Sequence, residues 1–118
     1  MAFIAQFGGD LKEGKTRELV EWLNANEKEF ANAHPAGARY IGTYFSIFAS
    51  DRKGGSVHTF VELENYGTQD AMAAAGNDPD SVYGKLLNEV FAFFDQKSEN
   101  WTQSLYKKAT EATVYGED

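Results

Sequence analysis

A chain of 118 residues, 42% hydrophobic and 25% charged, has the composition of one globular domain, taken here as residues 1–118. The absence of cysteine rules out a disulfide framework, a thiolate metal site and a cysteine nucleophile. Eighteen acidic against eleven basic residues give a net charge of −7, which repels nucleic acid and anionic membrane surfaces.

In chain order, residues 2–7 form a short apolar run closed by Gly8, Gly9 and Asp10, the pattern of a strand entering a turn. That run is too short for a secretory leader, and nothing later approaches the roughly 20 apolar residues needed to span a bilayer, so a cytoplasmic protein is expected. Over residues 15–33, Leu19, Trp22, Leu23 and Phe30 recur at helical spacing among charged neighbours, and His34, Pro35, Ala36 and Gly37 stop the helix. Residues 39–49 are aromatic and β-branched; with the loop at 51–55 and residues 57–64 they predict a hairpin. Strict alternation places Ile41, Phe45 and Ile47 on one face of the second strand, and Tyr40, Tyr44 and Phe48 on the other. In the third strand, Val57, Thr59, Val61 and Leu63 oppose His58, Phe60, Glu62 and Glu64.

A helical stretch from Thr68 breaks at Gly76 and Asn77, and Asp78 before Pro79 reads as the N-cap of a new helix. That helix carries Tyr83, Leu86, Leu87, Val90, Phe91 and Phe94 on one stripe. Residues 101–106 supply a fourth strand, and Val114 and Tyr115 in the tail are available to a partner chain. The order βαββαβ predicts an α+β, ferredoxin-like domain: a four-stranded antiparallel sheet with its helices on one face. Apolar residues on both faces of the first two strands require a cover for the open side, and a second copy of the chain is the expected one. Phe3, Phe7, His58, Phe60 and Glu62 are assigned to that dimer face.

Leu11, Lys12, Glu13, Gly14 and Lys15, the segment from His34 through Arg39 to Tyr44, and the strand pattern together resemble the dimeric α/β-barrel superfamily. That group holds the antibiotic-biosynthesis monooxygenases, the NIPSNAP proteins and the EthD-like proteins. The resemblance implies a homodimer whose sheets pack face to face as a barrel, with a small-molecule pocket in each subunit. Its members share no single reaction, so the fold names none. The haem-degrading members carry a histidine ligand on the second helix, and residues 68–96 contain no histidine. The RNA-recognition domain shares the βαββαβ order, and Phe3 to Phe7 and Thr59 to Leu63 loosely match its strand signatures. Ser56 and His58, however, stand where that family has a basic residue and an aromatic, and a basic footprint is missing.

No catalytic constellation is legible. His58 and Glu62 share a face about 13 Å apart along the strand, too far for a direct bond. His58 is read as an interface histidine or a proton shuttle, and Glu62 and Glu64 as partners for Arg39, Arg52 or a lysine of a second subunit. Only His34 and His58 could supply imidazole, so neither a metal nor a cofactor is expected. The abundance of aromatic residues, 14% of the chain, is consistent with plain core packing or with an incompletely closed pocket between helices and sheet. Trp22, Asn26, Tyr44, Tyr83, Phe91 and Phe94 are the residues expected around such a pocket, with Gln6 also at its mouth. The leading expectation is a module holding an apolar or amphiphilic molecule, either an acyl chain or an aromatic compound. Two alternatives are a cofactor-independent monooxygenase, with Trp22, Tyr44 or His58 placing a phenolic substrate, and a dimer with no ligand.

Overall fold

The computed structural model of the chain describes residues 3–50 and 54–111. Arg52 and most of the expected 51–55 loop lie outside them, as do Val114 and Tyr115. The elements run β1 (Phe3–Gly9), α1 (Thr16–Asn32), β2 (Ala38–Phe45), β3 (Val57–Leu63), α2 (Thr68–Gly76), α3 (Val82–Phe91) and β4 (Thr102–Lys107). The strands pair antiparallel in the order β2-β3-β1-β4, the ferredoxin-like sheet expected from the element pattern. Among the described residues no helix is long and apolar enough to cross a membrane.

The core lies between the helices and one face of the sheet. Central strands β1 and β3 bring Ala5, Val57, Val61 and Leu63 to that face, and α1 lays Leu19, Trp22 and Phe30 on it, a stripe at helical spacing. Gly37 turns the chain from α1 into β2 with φ of +88°, a left-handed conformation costly for any residue with a Cβ. The turn is anchored by the Gly37 carbonyl, which accepts from the Glu64 amide at 2.8 Å.

Several sequence expectations change here. In the second strand, Tyr40 opposes Val61 and Gly42 opposes Phe60, so Ile41 is an inserted bulge residue. A bulge shifts the alternation by one. Tyr40 therefore lies on the helix face with Phe45, while Tyr44, opposite His58, lies on the open face. The strand also ends at Phe45, not at residue 49. The Ser46 amide donates to the Ser56 carbonyl at 2.8 Å and closes the ladder, beyond which Ile47 and Phe48 are 89% and 85% exposed.

The cap of α3 is Ser81 rather than Asp78. Ser81 Oγ accepts from the Gly84 amide at 2.9 Å, while Asp78 Oδ1 accepts from the Asp80 amide, a side-chain turn around Pro79 that precedes the helix. Phe3 and Phe7 are not on the open face. In antiparallel pairs, opposed residues share a face, and Phe3 opposes Leu63 while Phe7 opposes Thr59, so both point under the helices. Of the five residues assigned to the dimer face, His58, Phe60 and Glu62 occupy the open side.

Candidate functional site

The layer formed by α2 and α3 does not close on the sheet, and a cavity of about 400 Å³ lies between them. Phe7, Thr59 and Val61 line it from the sheet, and Met72, Leu87 and Val90 from the two helices. Tyr83 and Phe91 both line it and stand eight residues apart, about 12 Å along α3 at 1.5 Å per residue, so the cavity is elongated along that helix.

Aromatic groups mark its two ends. Near the start of α3, Tyr83 stacks on Phe30 with centroids 5.8 Å apart, and His34 sits edge-on at 4.7 Å from Tyr83 and 4.9 Å from Phe30. At the other end, Trp101 stacks on Phe94 at 5.6 Å and meets Phe91 edge-on at 6.0 Å. Such pairs contribute beyond their buried area and hold the rings in fixed orientations.

His34 is the lining residue whose charge can change near neutral pH. Its Nδ1 contacts the Phe30 carbonyl at 2.8 Å; a carbonyl only accepts, so Nδ1 carries the proton and Nε2 the lone pair of the neutral ring. Burial lowers its pKa below 6.5, against the opposing effect of the Phe30 and Ala31 carbonyls. The groups packed on the imidazole, Phe30, Tyr40 and Tyr83, bring no formal charge. Burial likewise raises Tyr83, to about 12, and burial raises Tyr40, opposed by the hydrogen bond from Thr43 and reinforced by Glu27. Tyr40 donates to Glu27 Oε2 at 2.8 Å, so Thr43 donates to Tyr40 at 2.7 Å and Thr59 to Thr43 at 2.9 Å, a hydroxyl chain that ends at the cavity wall.

The direction of the His34 shift has a consequence for stability. Below pH 6.5 the unfolded chain takes up the His34 proton before the folded one, so the native state loses stability as pH falls from 6.5 through the lower folded pKa. Unfolding profiles of wild type and His34→Gln, taken above and below pH 6.5, should therefore converge less steeply with acid in the variant. Identical acid sensitivity in both would show that His34 is not the group responsible.

Of the expected ligand residues, Tyr83, Phe91 and Phe94 line the cavity, whereas Trp22, Asn26 and Tyr44 do not. Trp22 is buried in the α1–α3 seam, where its Nε1–H donates to Glu89 Oε1 at 3.0 Å, and Asn26 Nδ2 donates to the Trp22 carbonyl. Tyr44 was moved to the open face by the bulge, and Gln6 also lies there. None of Trp22, Tyr44 and His58, the residues linked to a phenolic substrate, borders the cavity. Residues not foreseen there include His34, which the sequence marks only as a helix stop, and Trp101, which precedes β4 rather than starting it.

The open face has its own polar cluster. Gln6 Oε1 accepts from Thr102 Oγ1 at 3.0 Å and from His58 Nδ1, which leaves His58 Nε2 to accept from Ser56 Oγ at 2.8 Å. Serine, imidazole and orienting group are in the sequence of a nucleophile relay, but Ser56 is 2% exposed, so the cluster ties β1, β3 and β4 together and its serine hydroxyl is out of reach. Glu62 pairs with Arg39 of the same chain at 3.1 Å. Among the described residues no group of three His, Asp or Glu side chains is placed to hold a metal ion.

No family model matches the sequence, and no curated protein does. Solved structures do match the fold. An uncharacterized NIPSNAP domain protein from Burkholderia xenovorans is 13% identical, with a TM-score of 0.64 over 91% of this chain and 94% of its own. A NIPSNAP family protein of unknown function from Agrobacterium tumefaciens has a TM-score of 0.64 at 13% identity, over 91% of this chain and 87% of its own. A variant of SnoaB, a cofactor-independent oxygenase from Streptomyces nogalater, has a TM-score of 0.53 at 9% identity, over 92% and 93%. At these identities the likeness shows a shared ferredoxin-like fold, that of NIPSNAP and antibiotic-biosynthesis monooxygenase-like proteins.

Proposed function

We propose that this protein binds an apolar small molecule in the cavity beneath α2 and α3. The observation that carries this reading is the cavity itself, about 400 Å³ of space walled by Met72, Leu87, Val90 and two aromatic clusters. Well-packed interiors hold few voids larger than a water molecule, and ligand sites have volumes of roughly 300–1,000 Å³ with mainly apolar walls and a few polar groups. Val61→Phe places a ring in this space from the sheet side. Organic extraction of the purified wild-type protein, followed by mass spectrometry, should recover a bound lipophile, and titration with the neutral fluorophore N-phenylnaphthylamine should show saturable binding that Val61→Phe abolishes. Equal binding by wild type and Val61→Phe would overturn the reading.

The same reading puts a second copy of the chain on the open face, where Tyr44, edge-on to Phe60, and Tyr106, opposite Ile4, are 51% and 54% exposed. Exposed aromatic surface of this kind is costly in water, and the matching surface of a second copy can cover it. Light scattering coupled to size exclusion should give twice the chain mass for wild type and the single mass for Phe60→Asp; a monomeric wild type would refute the dimer.

A further inference from the structure

We propose that the cavity selects uncharged lipophiles and rejects anionic ones, so that its ligand is a neutral ring or chain compound rather than a fatty-acid carboxylate, a sulfonate or a phosphate ester. This rests on the cavity being a ligand site.

The argument comes from what the walls and rim lack. Among the described residues, none of those lining the cavity is Asp, Glu, Lys or Arg, although 25% of the chain is charged. In the interior this is ordinary, since burying a charge is expensive. At the rim it is not, because a charge there would be hydrated. Yet the polar residues at exposed rim positions, Asn77, Asn88 and Gln103 beside the apolar Ala73, Phe91 and Trp101, and half-buried Gln69, all carry carboxamides. These come from α2, the segment after it, α3 and β4, so the feature does not belong to one element. Carboxamides donate and accept hydrogen bonds without charge, which suits a carbonyl, hydroxyl or amide on a neutral ligand. An anion entering the cavity would shed its water with no cation to replace it. His34 is the one group able to become a cation, and burial keeps it neutral at pH 7. The net charge of −7 adds a long-range bias in the same direction.

The test uses two fluorophores that differ by one sulfonate, N-phenylnaphthylamine and anilinonaphthalene sulfonate, with decanol and decanoate as competitors. Cavity binding is taken as the signal that Val61→Phe removes. The neutral member of each pair should bind at least about tenfold more tightly at neutral pH. Gln103→Arg, which brings a cation to the rim, should narrow the gap between the two fluorophores about tenfold in favour of the sulfonate. Sulfonate binding as tight as that of the neutral fluorophore would overturn the selectivity and leave the cavity reading standing. If neither fluorophore gives a signal that Val61→Phe removes, both fall together.

Discussion

Gly84→Ala should destabilise the protein by about 2–3 kcal/mol, although glycine-to-alanine changes inside helices normally stabilise by about 1 kcal/mol. Gly84 lies in the first turn of α3, and a Cβ there would run into the carbonyl oxygen of Asp78 while standing 2.9 Å from both the Ala75 carbonyl oxygen and Ser81 Oγ. Two of these three atoms are backbone, so relief requires moving the α2–α3 connection. The third, Ser81 Oγ, already donates to the Ala75 carbonyl at 2.7 Å while accepting the Gly84 amide, so a displacement would also disturb the helix cap. Urea unfolding should show a lower midpoint with an unchanged slope. A neutral or stabilising result would mean that α3 can slide away from α2 without loss.

Leu63→Ala should cost about 3–4 kcal/mol, within the range for truncating a fully buried leucine and a large share of a typical domain stability of about 5–15 kcal/mol. Leu63 is 0% exposed, and it is flanked on the sheet by Phe3 of β1 and Ala38 of β2. Leu87→Ala removes the same atoms from the cavity wall, where one side of the leucine already lacks contacts. It should cost less than half as much. Chemical denaturation of both variants checks the difference, and equal costs would indicate that the space beneath α3 is packed.

The two leucines also mark where reading the sequence stopped. Leu63 belongs to a period-two pattern in β3, and Leu87 to the stripe on α3, and either pattern says only that the side chain faces inward. The second helix stripe, the βαββαβ order and the helix face of β3 were legible because each is a local periodicity expressed over several turns or residues. The α3 cap was misread because Asp78 before Pro79 carries a standard start signal, while Ser81 wins through a contact with Ala75 that the linear order does not display. Tyr40 and Tyr44 were assigned to one face because alternation was counted straight through Ile41, and the bulge separates them. A bulge depends on pairing with the neighbouring strand, and β2 has no composition signal for it.

By itself, the sequence determined the ferredoxin-like class and the single helix-bearing face, because these follow from the element order and from amphipathic periods. It also placed Tyr83 and Phe91 on one helical stripe, whereas Phe94, counted with them, lies beyond the end of α3 and bridges to Leu11. Only the tertiary structure decided that these rings border a cavity together with His34 and Trp101, while Trp22 and Asn26 fill a helix seam. Whether an inward-facing side chain ends in packed core or at a void depends on how far two layers stand apart, and that distance is a property of the whole fold rather than of any segment.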